Sequence, residues 1–276
     1  MKNHLSRDRA PITEAGWEEI EKEAKRTLRG MLAARRVVDF RGPLGWGASD
    51  VELGRADPIS SPPGGPDVQA RLRRIQPLVE VRIPFEVSRA ELDAIDRGAR
   101  DPDLDSVIAA AREIAIAEDR AIFHGYKAAH ITGICEAAAS EAVPLGTSHA
   151  DYPGAVSAAL TKLRDEGIEG PFAIVLNEQL YRDLAARTDG GYPILSHVQR
   201  LIDGDLIWAA GIEGGLVLST RGGDFELTVG QDFSIGYLEH DLERVRLYIE
   251  ESFTFLVLTD QAAVPLTTAT AKILSA

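Results

Sequence analysis

The residues able to act as ligands or nucleophiles are few, and their spacing keeps them apart. His124 and His130 are six positions apart, about 240° of helical rotation, whereas two histidines sharing a metal on one helix face need a spacing of roughly three or four. Glu118 and Asp119 precede them, but adjacent residues diverge on a helix, so the four form no local cluster and no metal site is expected. His4, His149, His197 and His240 are scattered. Cys135 is the single cysteine. That excludes an intrachain disulfide or a multi-cysteine zinc site, and the thiol reads as a small buried apolar group. There is no GxxxxGK[ST] loop, no GxGxxG after a strand and no GxSxG elbow, so neither a phosphate cradle nor a serine nucleophile is indicated. No catalytic residue is expected.

Gly222-Gly223-Asp224-Phe225 resembles the signature of cyclic-dinucleotide cyclases, but that signature has a further acidic residue between the metal-binding one and its phenylalanine, whereas here Phe225 follows Asp224 directly. A hairpin turn opening a strand accounts for all four residues.

The elements around these residues follow from periodicity. From Arg221 to Val257, Phe225, Leu227 and Val229, then Ile235 and Tyr237, then Val245, Leu247 and Ile249, then Phe253, Phe255 and Val257 alternate with polar neighbours. This is the period of strands, separated by Gly- and Asp-bearing turns, and it predicts an antiparallel meander. Its apolar face needs a cover from far upstream. Thr13 caps a first helix striped by Trp17, Ile20, Ala24, Leu28, Met31 and Leu32. Arg35 to Phe40 reads as a short strand. Val51 to Pro66 holds four prolines and three glycines, too many breakers for a packed element, so an extended arm is expected. Ser88 is placed to cap a short helix over Leu92 and Ile95. Asp101-Pro102 is placed to start a long one striped by Val107, Ala111, Ile114 and Ile122, the expected cover for the sheet. From Val143 to Thr220 helices and strands alternate.

The 276 residues are 45% hydrophobic and 26% charged with a net charge of -13, the profile of a globular protein without the basic footprint of a nucleic-acid or anionic-membrane binder. No apolar run approaches ~20 residues, and the first nine residues lack a signal core. The expected address is the cytoplasm.

Several motifs are then met in order: Pro11-Ile12-Thr13-Glu14 with Trp17, Val38-Asp39-Phe40-Arg41-Gly42-Pro43-Leu44-Gly45-Trp46, Glu118-Asp119-Arg120-Ala121-Ile122-Phe123-His124-Gly125, Gly167-Ile168-Glu169-Gly170-Pro171-Phe172, Arg221 to Phe225, Gly230-Gln231-Asp232-Phe233-Ser234-Ile235-Gly236-Tyr237 and Glu251-Ser252-Phe253-Thr254-Phe255. Over nearly the whole chain they resemble the classical, first family of encapsulin shell proteins. The resemblance implies an α+β fold like that of tailed-bacteriophage major capsid proteins. Residues 1–45 would form the cargo-side helix and arm, 46–78 an extended loop reaching over a neighbour, 79–142 with 221–276 the peripheral domain, and 143–220 the axial domain.

The implied partners are further copies of the chain, about 60 in a closed icosahedral shell, and a cargo enzyme with a C-terminal targeting peptide. That cargo is typically a ferritin-like iron protein or a dye-decolourising peroxidase, hence iron storage or oxidative stress. Carried over position by position, the peptide groove involves Leu28, Leu32, Arg35, Asp39, Ile235 and Tyr237, and the five-fold pore loop Asp189, Gly190, Gly191 and Tyr192. Some members bind flavin beside a tryptophan just before a Glu-Leu-Asp. Here Ala90 precedes Glu91-Leu92-Asp93, which counts against flavin, and no cofactor is expected. Two other readings are a protease- or bacteriocin-type enzyme, built on Cys135 or a serine meeting a distant histidine, and a prophage capsid protein. A chain beginning at the cargo-side helix, without a scaffolding or propeptide segment, counts against the latter.

Overall fold

Thr13 opens the first helix by accepting the Gly16 N–H, and α1 (Glu14–Met31) buries Ile20, Ala24, Leu28 and Met31. The structure is a computed structural model and describes residues 4–65, 67–146, 148, 151–189 and 191–268. After α1 the strand expected from Arg35 is shortened to β1 (Asp39–Arg41). Residues Ala34–Arg36 form a 3-10 turn instead. The cause is remote: the Asp119 carboxylate accepts the N–H groups of Ala33 and Ala34 at 3.1 and 2.9 Å and turns the chain.

The breaker-rich stretch is also more regular than expected. β2 (Asp50–Ile59) and β3 (Ala70–Pro77) pair as an antiparallel hairpin whose register shifts between Glu52 and Ala56, where Gly54 takes a φ of 65°. Among the described residues this arm pairs with no other strand. β4 (Val79–Ser88) leads into α2 (Arg89–Asp96), and Ser88 makes no side-chain capping bond to it. α3 (Asp105–His124) begins three residues later than the Asp101-Pro102 start suggests, because the Asp103 carboxylate accepts the Asp105 N–H and Glu91 accepts that of Asp103. At 20 residues it is about 30 Å long.

The chain continues through α4 (Ile134–Ala137), β5 (Val143–Pro144), α5 (Tyr152–Asp165), β6 (Phe172–Leu176), α6 (Glu178–Ala186), the two-residue strands β7 (Thr188–Asp189) and β8 (Tyr192–Pro193), α7 (Ile194–Gln199), β9 (Leu206–Trp208), β10 (Gly215–Ser219), β11 (Phe225–Val229), β12 (Ser234–His240), β13 (Arg244–Val257) and β14 (Ala263–Thr267).

The C-terminal strands do not form a simple meander. β13 is one 14-residue strand where the pattern suggested two. β11 and β12 follow one another along one of its edges, β4 runs along the other, and β1 adds parallel to β11. The second sheet has the order β5-β14-β10-β6-β9. β14 therefore joins the block of residues 143–220 rather than staying with the sheet of its sequence neighbours. α3 links the two cores. Its first half, Val107 to Ala115, packs with α1, α2, β4 and the start of β13; Ala121, Ile122 and Phe123 join the core around the second sheet, which also takes Phe253 and Phe255. Among the described residues no helix is long and apolar enough to cross a membrane.

Candidate functional site

Between α1 and the start of β12 lies a recess of about 530 Å³. α1 supplies Glu21, Ala24, Lys25, Leu28, Arg29 and, at its end, Leu32. The facing wall is Asp232, Phe233, Ser234 and Ile235 with Ile249 behind, and Leu5 and Arg7 of the N-terminal segment line it as well. Of the six groove residues the sequence suggests, Leu28, Leu32, Arg35 and Ile235 meet here. Asp39 and Tyr237 do not line the recess. The Asp39 carboxylate is taken by the Gly223 N–H at 2.6 Å, fixing the turn before β11. The Tyr237 N–H donates to the Leu5 carbonyl at 2.8 Å and its hydroxyl meets His240 Nδ1 at 2.6 Å.

Arg35 is not a free cation waiting for a ligand. Its guanidinium donates to Glu118 at 2.6 and 3.0 Å, to Asp232 at 3.0 Å and to Glu251, while its planar face lies 4.7 Å from the Phe233 ring centre. Glu118 and Glu251 are fully buried. Burial alone would lower the Arg35 pKa, but the bonds to Glu118 and the charges of Glu118, Glu251 and Asp232 more than offset it and raise it. Burial, then the adjacent Glu118, pushes Glu251 well above the usual carboxylate range. Glu251 Oε2 has no hydrogen-bond partner among the described residues, so burial of this oxygen is not offset by a donor. One strand position away, Glu250 points to the opposite face of the sheet, where Arg82 reaches it at 2.6 Å. Two adjacent buried glutamates thus serve two different cations.

Asp119, beside Glu118 on α3, is pushed up to about 7 by burial, against the opposing pull of its two backbone N–H donors. Both raised carboxylates have the same sign of linkage. Their folded-state pKa exceeds the unfolded one, so their contribution is fully present near pH 4 and is lost as pH rises through the folded value. Exposed Asp241, by contrast, is lowered by the Glu243 and Arg244 N–H groups, so its contribution is constant above the unfolded carboxylate pKa and is lost only as pH falls below it. We expect the thermal midpoint to fall between pH 5 and 8, and Glu251→Gln, which imitates the protonated acid, to flatten that decline. Midpoints recorded at four pH values for both proteins check it. An unchanged slope in the variant would show that Glu251 is ionised throughout.

The other chemical candidates resolve into structure. His124 Nε2 accepts the Glu213 N–H at 2.8 Å, and burial lowers its pKa. Burial pushes the Cys135 thiol up to about 12, far from a reactive thiolate. Asp224 binds the Arg221 guanidinium at 2.9 and 3.0 Å in a turn that joins two sheets rather than a hairpin. No group of three His, Cys, Asp or Glu among the described residues has the arrangement of a metal site. In the pore-loop candidate, Asp189 pairs with Tyr192 across β7 and β8, Gly191 has a φ of 84°, and Gly190 lies outside the described residues.

The comparisons decide what kind of protein carries this recess. Residues 1–254 match the family described as "Encapsulating protein for peroxidase". The chain is 55% identical over 269 residues to the type 1 encapsulin shell protein of Rhodospirillum rubrum, covering 96% of each. The chain belongs to the encapsulin family. It is also 48% identical to the type 1 encapsulin shell protein of Mycolicibacterium paratuberculosis, over 96% of this chain and 99% of that one. Its fold is similar to that of a virus-like particle from Pyrococcus furiosus (TM-score 0.63, 14% identity, 91% of this chain and 99% of that one). It is likewise similar to the capsid of Myoviridae phage XM1 (TM-score 0.55, 12% identity, 87% and 92%). This encapsulin is therefore a structural shell protein with a capsid-like fold, not an enzyme. The motifs did not point to the buried pair Glu250 and Glu251 or to the N-terminal segment. The signal for the former was present in Glu250-Glu251 interrupting an apolar strand; nothing local marks Leu5 or Arg7.

Proposed function

We propose that copies of this encapsulin close into an icosahedral shell in the cytoplasm and hold a cargo enzyme by an extended C-terminal targeting peptide laid in the recess between α1 and β12. The observation that carries the reading is the recess itself, in a shell protein, with apolar side chains of α1 facing Phe233 and Ile235 beside the outer edge of β12, an edge that the N-terminal segment meets only at Tyr237 among the described residues. Among the described residues β12 is the last strand of its sheet, and such an edge accepts an extended peptide by main-chain bonds while its pockets take alternate side chains. Many weak sites facing one oligomeric cargo gain avidity. A peroxidase is the cargo class that the family description favours, with a ferritin-like iron protein as the other candidate. The hairpin carrying Asp189 and Tyr192 would ring the five-fold pore, where repeated acidic side chains favour cations.

Expression of the chain alone, followed by size exclusion and negative-stain electron microscopy, should give uniform hollow particles. A folded monomer or dimer would overturn the shell reading. For the groove, Leu32→Asp should leave shells intact and lower loading of a reporter carrying the tail of the enzyme encoded beside the shell gene by tenfold or more. Removing one leucine side chain from an apolar trough costs about 1.5–3 kcal/mol of binding. Wild-type loading in that variant would place the peptide elsewhere.

A further inference from the structure

The recess mixes apolar and charged side chains, and its charges are paired asymmetrically. On α1 the cations turned away from it are each paired with a glutamate three residues earlier, Lys22 with Glu19 at 2.9 Å and Arg26 with Glu23 at 2.5 Å. The two that line it, Lys25 and Arg29, pair with no acidic side chain among the described residues. Helical spacing offers Lys25 a partner four residues back at Glu21. The structure gives Glu21 to Arg7 instead, at 2.5 Å, with the Arg7 guanidinium 4.0 Å from the Trp17 ring centre. The N-terminal segment that brings Arg7 there is anchored by buried Leu5, whose carbonyl takes the Tyr237 N–H. The other acids at the recess are also engaged: Asp232 receives Arg35 and its own Phe233 N–H, and Glu118 and Glu251 lie behind Arg35. In a chain of net charge -13, this wall is left with two unneutralised cations.

Their position says where a complementary charge would sit. The lining runs along α1 from Glu21 to Leu32, about 16 Å at 1.5 Å per residue, room for about five extended residues. Lys25 and Arg29 stand in the middle of that length, not at an end. Tyr237 N–H faces outward to Leu5, so Ile235, two residues earlier on the same strand, presents its N–H along the same edge. A segment bonded there would lie against α1 with the cations abreast of its centre.

We propose that Lys25 and Arg29 select an extended peptide with an acidic side chain inside its apolar run, and that Arg7 keeps them available by occupying Glu21. This rests on the peptide-groove reading and specifies the partner's chemistry at that site. The test co-expresses the shell with a fluorescent protein ending in Gly-Leu-Glu-Leu-Gly-Leu-Gly, or in the same tail with Gln for Glu, and reads fluorescence per purified shell. The Glu tail should load about tenfold more than the Gln tail, the factor expected of about 1.4 kcal/mol of charge pairing. In shells carrying Lys25→Ala with Arg29→Ala the ratio should fall to about one. In shells carrying Lys25→Glu with Arg29→Glu, a tail with Lys in place of Glu should load best, a gain that damage to the fold would not produce. Equal loading of the Glu and Gln tails in wild-type shells overturns the charge selection while leaving the groove. Loss of loading when a Gly-Ser spacer follows the tail shows that the terminal carboxylate is read and overturns the internal acid. A tail that loads in neither form overturns the groove reading together with this inference.

Discussion

Replacing Arg35 by methionine should destabilise the subunit by about 3–5 kcal/mol, the scale for removing one partner of a buried ionic cluster. The side chain serves three carboxylates at once, and two of them, Glu118 and Glu251, have no exposure to water. Without the guanidinium they must be ionised without a counter-charge or take up protons, so the defect should be larger at pH 8 than at pH 5. Thermal midpoints of purified shells, with soluble yield as a second readout, measure it. Arg35→Lys should recover only part of the loss, since an ammonium lacks the planar fork that reaches several carboxylates. Adding Glu118→Gln and Glu251→Gln to Arg35→Met should recover more, because it removes the stranded charges. A midpoint unchanged in Arg35→Met would mean that the cluster is neutral and the arginine dispensable.

The second large effect concerns assembly. The arm of β2 and β3 exposes Ile59, Val68, Leu72 and Ile75, with Leu72 64% and Ile75 51% accessible. A two-stranded hairpin that exposes apolar side chains is at best marginal in water by itself, so these residues are expected to be covered by a neighbouring subunit. The Leu78 N–H to the Ser49 carbonyl closes the arm's base, and Gln76 Nε2 to the His130 carbonyl ties that base to the rest of the chain. Leu72→Asp with Ile75→Asp should leave the subunit folded, with wild-type far-ultraviolet circular dichroism, and abolish closed shells. Burying a leucine-sized side chain between subunits stabilises assembly by about 1.5–3 kcal/mol, and the deficit recurs at every copy. Size exclusion should show the material moving from the shell peak to small oligomers. Shells formed at wild-type yield would mean that the arm's apolar residues are not buried on assembly.

Where the pattern was strong, it was right about the element and less so about its limits. The stripe of α1 and its Thr13 cap were both legible, since capping and 3.6-residue periodicity are local properties. α3 was legible as a long helix, but its start was displaced by Asp103 and Glu91, and the strand from Arg35 was curtailed by Asp119. β13 looked like two strands because Glu250, Glu251 and Ser252 break its apolar alternation. It continues unbroken because Arg82 and Arg35 meet those glutamates on opposite faces. The arm's prolines and glycines predict an extended arm rather than a packed element, and within it β2 runs regularly to Ile59, with Pro58 near its end and Gly54 at the register shift.

The amino-acid sequence by itself determined the family, the capsid-like α+β class, the amphipathic helices and the alternating strands, because these rest on motifs and on periodicities set within a few residues. Only the tertiary structure decided which charges are spent and which remain. Arg35 is bound to residues 83, 197 and 216 positions away, and Glu21 goes to Arg7 rather than to the nearer Lys25. A charge in a partly buried site is governed by the carboxylates and dielectric around it in space, and sequence separation carries no record of that until the chain has closed.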